Sequence, residues 1–130
     1  MSGGSLEDRA LAARDRAYAP YSGYRVGAVL EAEDGRLFDG CNVENASYSI
    51  TCCAERVALF AAVSAGARRF RRMVISASGR TPYPCGACRQ AMSEFAPDLP
   101  IVILAEDGAR HEFTLGELLP LPFRMEPRRS

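Results

Sequence analysis

Two segments, Thr51-Cys52-Cys53-Ala54-Glu55-Arg56 and, further along, Pro84-Cys85-Gly86-Ala87-Cys88-Arg89, combine soft metal ligands with a carboxylate. A zinc ion held by Cys53, Cys85 and Cys88 keeps its fourth tetrahedral corner for water, which distinguishes a catalytic zinc site from a closed structural one. Zinc lowers the pKa of such a water to about 7, so the chemistry implied is attack by hydroxide at neutral pH. Glu55, two residues past Cys53, is the candidate that moves the protons. Three thiolates on a dication leave a net negative charge that weakens the Lewis acid unless a cation or donor offsets it. Arg56 and Arg89, each one residue past a motif core, are candidates for that outer-shell role. A closed site remains the alternative, with His111, the one histidine, or Cys41 or Cys52 as fourth ligand. Zinc would then be structural. The ordinary reading of Cys41 and Cys52 is as small buried hydrophobes.

The elements around these residues follow from apolar spacing. Both cysteine segments stand where helices begin, and free N–H groups there favour thiolates. The second helix is expected from about Cys53 to Ala65, ended by Gly66, with a middle apolar on nearly every side and therefore buried. Gly86 to Phe95 reads as a third helix between the apolar strands Met73 to Ala77 and Ile101 to Ala105. That β-α-β unit calls for parallel strands and a right-handed crossover. Upstream, Ser5 with Asp8 resembles a capping box, and Leu6, Ala10, Ala13 and Ala17 predict a helix over 6–18 that Pro20 ends. Val26 to Glu31 and Leu37 to Val43 flank Glu33-Asp34-Gly35 as a hairpin, which delivers Asn42-Val43-Glu44-Asn45. Near the end, Glu106-Asp107-Gly108 turns the chain before His111-Glu112-Phe113, and Thr114 caps a last helix from Leu115 to Leu119. The order α-β-β-α-β-α-β-β-α predicts an α/β three-layer sandwich, a mixed sheet of about five strands with helices on both faces.

At 130 residues the chain reads as a single catalytic domain over 1–130. Five cysteines, two adjacent and two in Cys-x-x-Cys, suit metal binding in a reducing compartment better than a disulfide framework, so a cytoplasmic location is expected. The start Met1-Ser2-Gly3-Gly4-Ser5 has no secretory pattern, and no stretch approaches the roughly 18 apolar residues of a membrane span. Sixteen arginines, with no lysine, balance 16 acidic residues, so no excess cation is present to capture a nucleic acid polymer. The group Arg68, Arg69, Arg71 and Arg72 reads as a solvated face, not a phosphate site.

Beyond the cysteine segments, Ala17-Tyr18-Ala19-Pro20-Tyr21-Ser22, Val26-Gly27-Ala28, Gly40 to Ser49, Cys88-Arg89-Gln90 and Glu117-Leu118-Leu119-Pro120 complete a pattern along nearly the whole chain. It resembles the small, homotetrameric cytidine deaminases. The resemblance implies conversion of cytidine and deoxycytidine to uridine and deoxyuridine with release of ammonia, in pyrimidine salvage. It implies zinc on Cys53, Cys85 and Cys88, attack at C4 by zinc-bound hydroxide, and Glu55 as proton shuttle. It assigns Asn42 and Glu44 to the sugar, and two residues apart on a strand face the same way. It also assigns Ala54 to the substrate pocket, and Ala46 and Tyr48 to the ribose 5′ end of a neighbouring subunit's site. Phe123 closes a neighbour's pocket in the same picture, or is a core or interface aromatic. One departure concerns Tyr24, where the family usually has a phenylalanine that packs on the pyrimidine; the extra hydroxyl needs a partner. A blasticidin-type nucleoside deaminase shares the cysteine and glutamate motifs, and a zinc-stabilised binding module without catalysis is the reading from another class.

Overall fold

The computed structural model describes Ser2 to Pro127, with Ser2 to Ser5 given by backbone alone. Strict alternation builds the sheet. In β1 (Val26–Ala32), Ala28, Leu30 and Ala32 join one apolar cluster and Val29 the other. In β3 (Phe70–Ala77), Met73 and Ile75 oppose Val74, and in β4 (Pro100–Leu104), Ile101 and Ile103 oppose Val102. Because side chains alternate across a strand and both faces are covered, the middles of these central strands are apolar on both sides. The five strands lie in the order β2-β1-β3-β4-β5, with β2 (Leu37–Cys41) and β5 (Arg110–Thr114) at the edges. β3 and β4 pair in parallel and the other neighbours antiparallel, so the sheet is mixed and the fold α/β.

Helix α1 (Ser2–Asp15) covers one face, Leu6 and Ala10 packing on Val29, Val74 and Val102. The other face is covered by α2 (Ala54–Ser64), α3 (Gly86–Ser93) and α4 (Leu115–Leu118), through Ala58, Leu59, Met92 and Leu115 among others. Two glycines set how closely the helices approach. A Cβ on Gly27 would overlap the backbone of Ala10 and Arg14, and one on Gly40 the backbone of Ala54 and Ala58. The first turn of α2 therefore rests directly on the end of β2, and this contact places Cys53 and Glu55. At the far end of α2, Gly66 adopts φ +97°, and Ala67 N–H reaches back to Ala62 C=O at 3.0 Å, closing the helix with a left-handed cap. Thr114 caps α4 in a full capping box with Glu117.

Several expectations need correction. α1 already runs at Ser2, upstream of the expected cap at Ser5, whose side chain lies outside the described ones. It stops at Asp15, before Tyr18, because Tyr18 N–H bonds Asn42 C=O at 3.0 Å and Glu44 N–H bonds Tyr18 C=O at 2.9 Å. That bridge ties the loop after α1 to the segment after β2. α2 is buried along one stripe only, Ala54, Glu55, Ala58, Leu59 and Ala62, whereas Phe60 is 50 % exposed on its outer side. β3 starts at Phe70, ahead of Met73, since Arg71 and Arg72 both pair with Glu31 of β1. Arg68 donates to Val63 and Ala67 carbonyls, so three members of the arginine group bind their own scaffold. Cys41 and Cys52 are half-buried, not buried. The end of the tail at 128–130 lies outside the described residues. Among the described residues, no helix is long and apolar enough to cross a membrane.

Candidate active site

Two helix N-termini converge on one point beside the sheet. Cys53 is the N-cap of α2, and Cys85 is the N-cap of α3, where its sulfur accepts the Cys88 N–H at 3.5 Å. Cys88, one turn into α3, is fully buried. Cys53 and Cys85 sulfurs stand 3.8 Å apart, and those of Cys85 and Cys88 3.4 Å apart. Thiolates bound at about 2.3 Å to one tetrahedral zinc stand roughly 3.8 Å apart, so the three sulfurs fit a single ion. Among the described residues they are the one group with such geometry, all three sulfurs within 4.8 Å of one another. His111, Cys41 and Cys52 do not join it. His111 instead lies on edge strand β5 with its ring 6.3 Å from that of Tyr83.

The charges around the sulfurs also suit a cation. Three thiols this close cannot all ionise against one another without positive charge between them. Cys53 is held down at about 5, chiefly by a hydrogen bond from Cys88 and then by those from Arg56 and Cys85, while that same bond and burial push Cys88 up. Arg56, in the first turn of α2, brings its Nη2 to 3.7 Å from Cys53 Sγ and 3.5 Å from Thr51 C=O. Its Nε is buried and bonds nothing among the described atoms. Arg89 does not share this role. It donates to Pro84 C=O and Leu118 C=O, both at 2.8 Å, and so fastens the cysteine loop to the end of α4.

Glu55 is 5 % exposed and points into the same place from α2. Burial lifts its carboxyl to about 7; the neighbouring Cys53 adds to the rise, while its own backbone N–H and Arg56 oppose it. A carboxyl balanced near neutrality can both take and return a proton at working pH. The cavity above it holds about 220 Å³ and is lined by Tyr24, Asn42, Ala54 and Cys53, and by Arg80 and Tyr83 of the loop before Cys85. A neighbouring cavity of about 390 Å³, lined by Tyr21, Ser22, Glu44 and Tyr48, shares Thr51 with it.

The remaining predicted residues divide between these two spaces. Asn42 lines the inner cavity, with its Oδ1 accepting Val26 N–H and its Nδ2 donating to Tyr24 C=O, both at 2.8 Å, which leaves one donor free. Glu44 lines the outer one and accepts N–H bonds from Tyr21 and Ser22 as well as the Ser22 hydroxyl, which holds its carboxyl below the usual range. The pair is thus distributed over adjoining cavities instead of sharing one. Ala54 is fully buried in the inner wall. Tyr24 finds the partner its hydroxyl needs in Arg80 C=O, at 3.0 Å. Tyr48 is 76 % exposed at the outer rim; Ala46 is exposed and lines neither space. Phe123 is 70 % exposed, and the Gln90 amide holds its backbone through two bonds of 2.9 and 3.0 Å. Sequence reasoning missed Arg80, Ser22 and Gln90. Ser22 and Gln90 lay inside quoted motifs, but nothing local marked Arg80.

Comparison with known proteins agrees with this geometry. The family model for the cytidine and deoxycytidylate deaminase zinc-binding region matches residues 5–104. A cytidine deaminase of Sporosarcina psychrophila is 47% identical over 116 residues, 88% of this chain and 85% of that protein. One from Halalkalibacterium halodurans is 46% identical over 123 residues, 93% of each. The crystal structure of cytidine deaminase from Burkholderia pseudomallei superposes with a TM-score of 0.89 at 46% identity, covering 95% of this chain and 100% of that one. With three sulfurs gathered as that family's zinc region requires, and a match that takes in both cysteine segments, the chain belongs to the cytidine and deoxycytidylate deaminase zinc-binding family.

Proposed function

We propose that this protein deaminates cytidine and deoxycytidine by hydrolysis, giving uridine or deoxyuridine and ammonia in pyrimidine salvage. The observation that carries the reading is one juxtaposition: three clustered sulfurs and a buried carboxyl at the floor of a nucleoside-sized cavity. Cys53, Cys85 and Cys88 hold zinc, and Arg56 offsets the thiolate charge. When bound, zinc supplies the Lewis acidity that makes water a nucleophile at neutral pH. Glu55 takes the proton of the attacking water and delivers it to ring nitrogen N3. The same carboxyl then takes the proton of the hydroxyl now on C4 and passes it to the amino group, so that the bond from C4 to that nitrogen breaks, ammonia leaves and C4 becomes a carbonyl. Asn42 in the inner cavity and Glu44 in the outer one bind the sugar hydroxyls.

The outer site is completed by other copies. Tyr48, Ile50 and Phe123 are large and exposed, Phe60 adds an apolar patch on α2, and these support a homotetramer in which Ala46, Tyr48 and Phe123 serve a neighbour's pocket. Five free cysteines support a reducing, cytoplasmic setting, and we treat 1–130 as one catalytic domain. The experiment is ammonia release from cytidine, deoxycytidine, CMP and blasticidin S, alongside zinc content. Release from cytidine and deoxycytidine is expected; selective release from blasticidin S would move the protein to the other nucleoside class. A zinc-loaded protein inert toward all four would leave a binding module.

A further inference from the structure

We propose that Arg80 is a specificity-determining residue of this site, a planar cation laid against Tyr24 at the cavity wall whose unpaired N–H donors meet the nucleoside. Its guanidinium carbon lies 4.2 Å from the centre of the Tyr24 ring, and the same residue's carbonyl accepts the Tyr24 hydroxyl at 3.0 Å. Gly79, at φ +104°, lies beside that ring, where an added Cβ would stand 3.9 Å from Tyr24 Cδ1. Tyr24 therefore holds the turn before the second cysteine segment at two points, one through its hydroxyl and one through its face. A phenylalanine in its place keeps the face and loses the hydroxyl anchor.

The guanidinium differs from most of the chain's arginines. Arg9, Arg71, Arg72 and Arg110 all reach carboxylates. Among the described residues, Arg80 makes no ion pair and no side-chain hydrogen bond, yet it lines the cavity that holds Glu55 and Cys53. An arginine stacked on an aromatic ring keeps its donors in its own plane above the ring, directed sideways to acceptors such as a pyrimidine carbonyl or a ribose oxygen. Such a wall favours neutral, acceptor-rich nucleosides and disfavours cationic ones. Because those acceptors lie away from the reacting C4 and change little in the reaction, the contact belongs to substrate binding and not to the chemical step.

The inference rests on the deaminase reading, and one experiment separates the two. Steady-state kinetics on cytidine, with zinc content and Tm as controls, are measured for the unmodified protein, Arg80→Ala, Arg80→Lys, Tyr24→Phe and the double variant Arg80→Ala with Tyr24→Phe. Arg80→Ala is expected to raise KM by roughly ten- to a hundredfold, the range of one hydrogen bond from a charged donor, with kcat within about twofold. Arg80→Lys keeps the charge without the planar fork and should recover little of the loss. Tyr24→Phe should raise KM more modestly, and in the Arg80→Ala background should add nothing. An unchanged KM in Arg80→Ala, or full recovery by lysine, overturns the assignment of Arg80 and leaves the deaminase reading intact. No ammonia from the unmodified, zinc-loaded protein removes that reading and this inference with it.

Discussion

The floor and the rim of the site are built differently. On the floor, Ala54 and Cys88 are fully buried and Glu55 nearly so, all on two helices pressed against the sheet. On the rim, Tyr21 and Tyr48 are 53 and 76 % exposed, on a loop and a single 3-10 turn. Reacting groups must be held to fractions of an ångström, which packed helices supply, whereas substrate-contacting groups can sit on loops that another surface finishes. The contrast teaches that packing inside one chain fixes the groups at the floor and leaves those at the rim in solvent.

The sharpest way to break this contrast is at the floor. Cys88→Ser should abolish stoichiometric zinc and activity together and lower Tm, because zinc-site binding energy is also folding energy; metal analysis and a melting curve check it. A Cys88→Ser protein that keeps full zinc would show that the three sulfurs do not form the site. Glu55→Gln is nearly isosteric and should keep zinc while kcat falls by about 10²–10⁴-fold or more, the usual contribution of a positioned acid-base group. Turnover within tenfold of the parent would end the proton-carrier role.

Effects should then diminish with distance from the sulfurs. Arg56→Ala is expected to leave the fold intact and weaken zinc retention or kcat/KM by roughly 10–100-fold, as outer-shell losses do. Unchanged zinc and kcat/KM would mean that its 3.7 Å approach to Cys53 carries no weight. At the rim, Phe123→Ala should raise KM about fivefold or less, with kcat, zinc and Tm unmoved, if that ring serves a neighbour's pocket as an interface aromatic. A drop in Tm with constant KM would make Phe123 part of the chain's own packing.

Several features fixed by short-range contacts were legible in the sequence. The Asp34-Gly35 hairpin, the start of α3 at Gly86 and the Thr114 cap depend on contacts within a few residues, and the structure has them. The early end of α1 escaped because its cause is Tyr18 bonding to residues 42–44. Phe60 escaped because an apolar helix middle does not reveal which side meets the sheet. Arg89 escaped for a similar reason. Adjacent in sequence to a cysteine, it turns to carbonyls at Pro84 and Leu118 while Arg56 faces the sulfur.

The chain's own residue order determined which groups could do chemistry, since ligand softness, the two-residue step from Cys53 to Glu55 and the helix-start positions are local properties. Tertiary structure alone decided that Glu55 would be buried to a pKa of about 7, that Arg80 would lie on Tyr24, and that Asn42 and Glu44 would border different cavities. Desolvation and long-range contacts arise only when segments far apart in sequence exclude water from one another, and no spacing along the chain encodes their distance.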